Sequence, residues 1–206
     1  MTVYERAASR VVIEDLPGLT TPILPASDAL FQASRRVDWR FLLPDPTLRR
    51  VAYVGPTHRN LLESLRQFSS SVKVLEMPDP TGAVFDVVVA RDLSRELLRT
   101  AARSVRPGGC LYAEISGPGR FPGRYVSAVK QAGLTNIRVY LPWPNFEACT
   151  RIIPLDDPAV LIYALTKGRA GIIPRSEAAL VGWLHSTGLL RLAIWRFSLV
   201  AQREGV

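Results

Sequence analysis

The chain has 206 residues, 48% hydrophobic and 21% charged, which suits one globular domain with a full core and a small appendage. Its formal charge of +8 does not indicate nucleic acid: 23 of the 26 basic residues are arginine, and no RNA- or DNA-binding signature is present. Two isolated cysteines, Cys110 and Cys149, exclude a disulfide scaffold and a zinc site. With no apolar signal core among the first residues, the expected setting is reduced and cytoplasmic. The basic excess falls in residues 35–66 and 167–206; both zones read as solvated surface able to steer an anion.

Residues 1–49 form a lead-in: a short strand at 10–13, a Pro-rich loop, and a helix over 28–36 capped by Ser27. The core occupies 50–142 and resumes at 196–206. VAYVG is a strand, HRNLLESLRQF a helix, and SVKVLEM a second strand ending in Glu76. FDVVVA is the next strand. SRELLRTAARSV then makes a helix with Ser94 as N-cap and Pro107-Gly108-Gly109 as its stop, before the strand CLYAEI. RYVSAVKQAGL is a helix ending at Gly133, and TNIRVYLPW a strand.

Residues 143–195 are assigned to a helical insertion or lid. One helix spans 158–167, with Asp157 as cap and Gly168 as stop, and another runs from 177 to about 186 behind Ser176. RFSLVAQRE closes the chain as a half-buried strand, expected to pair antiparallel with TNIRVYLPW. Arg191 and Arg196 interrupt the apolar run 178–201, so no transmembrane segment is expected.

The link between Glu76 and Phe85 carries most of the information. A crossover between parallel strands normally needs a dozen or more residues. Here residues 77–84 must suffice. Extended, they reach roughly 26 Å, enough to pass under a sheet without a helix.

The order of elements over 50–142 and 196–203, with the SVRPGGCLYAEI stretch, resembles class I S-adenosylmethionine-dependent methyltransferases. The resemblance implies a three-layer Rossmann-like α/β sandwich with a reduced, mostly parallel sheet. It also implies cofactor contacts at Gly55, in the loop after the first strand, and at Glu76, matching the acid that takes the ribose hydroxyls. Asp92 matches a position where substrate or catalytic groups lie. The pattern departs from the family at VGPTHRN, where Pro56, Thr57 and His58 replace expected glycines. It departs again at the short link, which leaves the adenine-contacting segment without a counterpart.

Other candidates come from the residues themselves. His58 falls at the switch point above the sheet, either as a general base or as a helix N-terminal histidine bonded to backbone. SGPGRFPGR (116–124) brings Arg120 and Arg124 to a helix N-terminus, either to hold an anion or as a solvated turn. Residues 143–157 combine Trp143, Phe146, Glu147 and Arg151, a mixture suited to a recognition surface or to a loop anchored by its aromatic residues. Glu147 and Arg151, four apart, are placed to pair or to clasp a polar ligand. The expected function is that of a degenerate, methyltransferase-like protein that does not methylate and needs no cofactor. It would serve as a binding or partner subunit in a biosynthetic pathway such as peptide modification, meeting another protein, a peptide or an anionic small molecule. The alternative is a small divergent methyltransferase using S-adenosylmethionine.

Overall fold

The central strands are apolar on both faces because both faces are covered. In β1 (Leu48–Val54), Val51 and Tyr53 pack to one side and Ala52 and Val54 to the other, each at most 1% exposed. The computed structural model describes residues 26–76, 84–167 and 194–205. The described chain opens with α1 (Ala26–Arg36) and a 3-10 turn (Asp38–Leu42), then β1, α2 (Arg59–Phe68) and β2 (Ser69–Leu75). β3 (Phe85–Arg91), α3 (Arg95–Arg103), β4 (Val105–Ser116), α4 (Pro122–Gln131) and β5 (Thr135–Trp143) follow. β6 (Arg151–Pro154), α5 (Pro158–Lys167) and β7 (Arg196–Gln202) complete the described chain.

The strands form one sheet in the order β2-β1-β3-β4-β7-β5-β6. β1, β2, β3 and β4 are mutually parallel, and β7 runs antiparallel to both β4 and β5. One layer of core joins α3 and α4 to the sheet through Leu98, Ala101, Tyr125 and Val129. The opposite layer holds Trp39 of the 3-10 turn and Leu61 and Leu65 of α2, with α1 packed on α2. This is the three-layer α/β sandwich expected from the sequence, with the β5–β7 antiparallel pair in place.

β2 and β3 flank β1 on either side, and Leu75 and Ala90 both stand level with Val54. From that register, the end of β2 lies about 19 Å from the start of β3 at ordinary strand spacings. The link is long enough to cross beneath β1. Among the described residues β2 is the sheet's edge; the link, residues 77–83, lies outside them.

Five expectations need correction or fall elsewhere. α1 begins at Ala26, so Ser27 lies inside the helix and not before it. Pro107-Gly108-Gly109 does not stop α3, which ends at Arg103; it lies within β4. There the register with β3 shifts between Phe85 and Val87, and the extra residues bulge. Gly109 is needed because a Cβ would meet the Asp86 carbonyl at 2.8 Å. Arg151–Pro154, assigned to the insertion, is an edge strand on β5. The predicted strand at 10–13 and helix at 177–186 lie outside the described residues. α5 appears as expected, with Ala159 and Val160 N–H donating to Asp157 Oδ1 at 3.0 and 3.1 Å. No described helix is long and apolar enough to cross a membrane.

Candidate functional site

The C-terminal ends of β1 and β3 meet at the switch point of the sheet, where open α/β folds place ligands. Gly55 follows β1 directly, with φ +137°. A Cβ there would stand 2.3 Å from the Arg91 carbonyl oxygen, so the glycine serves close backbone packing between the two strand ends. The Pro56 carbonyl accepts the Tyr53 hydroxyl. Glu76, just past β2, is exposed.

His58 is the N-cap of α2, its Nδ1 accepting the Leu61 N–H at 3.3 Å. That bond requires Nδ1 without a proton. Burial lowers the His58 pKa below its ordinary value, and the charges of Arg91 and Arg36 lower it further, with Glu147 opposing them. The cap therefore favours the neutral ring, with Nδ1 bonded to backbone. Its Nε2 stands 3.4 Å from Glu147 Oε1.

Asp92 has φ +49° and, though partly exposed, binds β4. Its Oδ1 accepts from Ser116 N and Oγ at 2.8 and 2.7 Å, and its own N–H donates to the Glu114 carbonyl at 2.8 Å. Arg120 Nη1 approaches the same Oδ1 at 3.6 Å, so this arginine is turned inward. Arg124 is exposed, its guanidinium 5.6 Å from the Phe121 ring centroid.

The sequence reading did not find the charged network beneath this edge. Glu114 of β4 is fully buried and takes a bidentate pair from Arg36, Nη1 to Oε1 at 2.6 Å and Nη2 to Oε2 at 2.7 Å. Arg91 Nη1 donates to Glu114 Oε2 at 2.8 Å, and Arg91 Nη2 to Glu147 Oε1 at 2.9 Å. The Tyr112 hydroxyl adds a bond to Glu114 Oε1 at 3.1 Å. Burial works against the Arg36 charge, but Glu114 outweighs it and holds the guanidinium's pKa above its ordinary value. Burial alone would raise the Glu147 pKa; the hydrogen bond from Arg91 brings it below the usual range. One signal in the sequence pointed here: a glutamate inside the apolar run 110–115 must be paired if the strand is buried.

Glu147 and Arg151 do not pair with each other. Glu147 turns to Arg91 and His58, while Arg151 donates to the Ala164 carbonyl at 3.4 Å. Trp143 is half-buried against the α3–α4 core layer and Phe146 is 5% exposed. Phe146 and Arg151 line a cavity of about 150 Å³ between α1, the 3-10 turn and the β5–β6 loop. Among the described residues, no three His, Cys, Asp or Glu side chains are grouped to hold a metal.

Parallel strands continued by an antiparallel β7 between β4 and β5 give the class I methyltransferase-like fold. No protein-family model matches the sequence, and no curated protein does. Among solved structures the chain is similar to Haemonchus contortus phosphoethanolamine N-methyltransferase 2 in complex with S-adenosyl-L-methionine. That match has 12% identity and a TM-score of 0.36, covering 86% of this chain and 57% of the other. It is also similar to a Thermotoga maritima S-adenosylmethionine-dependent methyltransferase (12% identity, 85% and 92% covered, TM-score 0.42). A third is the [4+2]-cyclase SpnF (14% identity, 87% and 81% covered, TM-score 0.33). The chain thus spans little more than half the length of the Haemonchus enzyme. These likenesses concern the fold alone.

Proposed function

We propose that the chain is a binding protein on a methyltransferase-like frame, acting as a partner subunit in a biosynthetic pathway, with methyl transfer not its activity. The observation that carries this reading is the position of Glu147. It is delivered by the β5–β6 loop onto Arg91 and His58, at the strand ends where a ligand of this fold would rest. The residues around it fit an adenosyl cofactor poorly. Gly55 is backed against the Arg91 main chain, and Pro56 has no N–H to offer a carboxylate. Only Glu76, exposed at the end of β2, is placed to accept ribose hydroxyls. Peptide modification is the pathway class this reading favours, with a protein, a peptide or an anionic small molecule as the partner.

A second reading, a divergent S-adenosylmethionine-dependent methyltransferase, is favoured by the strand order and by Gly55 and Glu76 sharing one edge of the sheet. Calorimetry with S-adenosylmethionine and S-adenosylhomocysteine separates the two. The binding-protein reading expects no heat of binding at micromolar ligand. Micromolar affinity, about −8 kcal/mol, weakened by Glu76→Ala, would establish the second reading instead.

A further inference from the structure

Charged side chains of both signs join in one chain of contacts at the C-terminal edge of the parallel strands. Arg36 and Arg91 bond to Glu114, and Arg91 also to Glu147. Asp92 stands 3.7 Å from Arg91 and 3.6 Å from Arg120. These three arginines and three carboxylates cancel only when Glu147 is counted. Without it the edge keeps a surplus of one positive charge, next to an Arg91 side chain that is 14% exposed. A charge held there needs an anionic partner.

Glu147 is held differently from the other two acids. Glu114 is fully buried in β4, and Asp92 also accepts from Ser116 N and Oγ at 2.8 and 2.7 Å. Glu147 sits on the loop between β5 and β6, with its side chain 44% exposed. That loop is anchored without it. Phe146 is buried, Asn145 Oδ1 accepts the Ala148 N–H at 2.7 Å, and the Thr150 N–H donates to the Trp143 carbonyl at 2.8 Å. Rotation of the Glu147 side chain therefore releases its partners while the loop's backbone stays in place.

The groups released are two donors aimed at one point. Arg91 Nη2 stands 2.9 Å and His58 Nε2 3.4 Å from the same oxygen, Glu147 Oε1. With Nδ1 accepting the Leu61 N–H, the neutral ring carries its proton on Nε2. The point where the donors converge is filled by a carboxylate oxygen, so the present occupant identifies the chemistry that the pair selects.

We propose that Arg91 and His58 form a carboxylate-binding site, closed in the free protein by Glu147, and that a carboxylate of the partner takes its place by exchange. The inference rests on the binding-protein reading and deepens it, because it names the partner's recognised group: an acidic side chain or a chain-terminal carboxylate. Glu147 sets the threshold for entry. A tethered group competes at an effective concentration of about millimolar, so a lone carboxylate is refused and one carried by a partner with further contacts is admitted.

Glu147→Ala removes the internal competitor, and N-acetylglutamate α-amide, whose carboxylate is on the side chain, is the probe. Binding is followed by NMR through the His58 ring signals, assigned by their loss in His58→Asn. The variant should bind the probe saturably at millimolar concentration, roughly tenfold or more tightly than the unaltered chain. N-acetylglutamine, with its carboxylate at the main-chain end, shows by relative affinity which of the two sources fits better. N-acetylglutamine amide, with no carboxylate, should not bind. Arg91→Lys in the Glu147→Ala background keeps the charge, loses the forked donors and should weaken the acids severalfold. Glu147→Gln, which also lacks the competing charge, serves as a second form should Glu147→Ala fail to fold. Equal affinity of the unaltered chain and these variants, binding of the amide as strong as that of the acids, or no saturable shift of His58 with either acid would overturn the proposal. None of those failures bears on calorimetry with S-adenosylmethionine, whose micromolar binding would overturn the parent reading whatever the two acids do.

Discussion

Arg91 and Glu147, 56 residues apart in sequence, are joined by a 2.9 Å hydrogen bond across the C-terminal edge of the sheet. The same guanidinium reaches down to Glu114 at 2.8 Å. The β5–β6 loop is thereby fastened to the strand ends by a charge pair whose inner half is buried and whose outer half is partly wet: the Glu147 side chain is 44% exposed, that of Glu114 0%. The two halves should differ sharply in what they contribute.

Removing Glu114 leaves Arg36 and Arg91 facing each other without a counter-charge in a buried layer. Breaking a buried pair in this way costs about 3–5 kcal/mol, so Glu114→Ala should lose that much in urea denaturation. The Arg36→Met, Glu114→Leu double variant should cost far less than the two single changes summed, because both desolvated charges leave together. Glu147→Gln, at the wet end, should change stability by less than about 1 kcal/mol.

His58 links this edge to pH. Its folded pKa lies below the unfolded value of about 6.5, so the folded state binds the proton less readily. The stabilisation is complete above about 6.5 and is lost as pH falls through the folded pKa. Protonated Nδ1 cannot accept from Leu61 N, and loss of an N-cap is worth about 1 kcal/mol. His58→Asn, which retains a cap acceptor, should flatten the dependence of melting temperature on pH between 7 and 5. In Glu147→Gln the His58 resonance should titrate at still lower pH, since Glu147 is the nearest charge holding that pKa up. An upward move in an NMR titration would contradict the network.

Much of the fold could be read from local patterns. Ser94 and His58 cap their helices through side chain to backbone bonds three residues away, and three residues fit inside any sequence window. The apolar runs of β1 and β3 announce strands covered on both faces. The charged network was not visible, because the partners of Glu114 lie 78 and 23 residues away and no periodicity relates them. β6 was hidden for another reason. Four residues ending in proline read as loop, and only an open edge on β5 makes them a strand. The glycines after Pro107 read as a helix stop because turn chemistry and a bulge at a strand's start use the same residues.

Asp86 fastens the opposite, N-terminal end of the parallel strands. Its carboxylate takes the Arg50 main-chain N–H at 3.1 Å and side-chain Nε at 3.0 Å, and also the Arg106 guanidinium. Burial would raise its pKa, but the hydrogen bonds from Arg50 and Arg106 prevail and bring it from 3.8 to about 2. A depressed carboxylate contributes stability above its unfolded pKa and loses it as pH falls through the folded one. The contribution, on the order of 2 kcal/mol, should be present at pH 5 and vanish between about pH 4 and pH 2. Asp86→Asn should remove that part of the acid transition in a urea series at fixed pH values.

Gly55 separates the structural from the cofactor explanation of this edge. Any side chain there must be accommodated at φ +137°, and its Cβ would fall 2.3 Å from the Arg91 carbonyl oxygen. Neither atom can give way cheaply, because the Cβ is fixed directly to the backbone at residue 55 and the oxygen belongs to the main chain of Arg91, whose side chain is held by Glu114 and Glu147. Strain of this kind costs about 1–3 kcal/mol before the clash is counted, so Gly55→Ala should lower stability by at least that amount. The loss should appear in denaturant with no ligand present. It should shrink when Glu147→Gln frees one side of Arg91 and lets the strand ends part. A glycine kept only for a cofactor's approach would behave otherwise: Gly55→Ala would leave melting unchanged and act on ligand affinity alone.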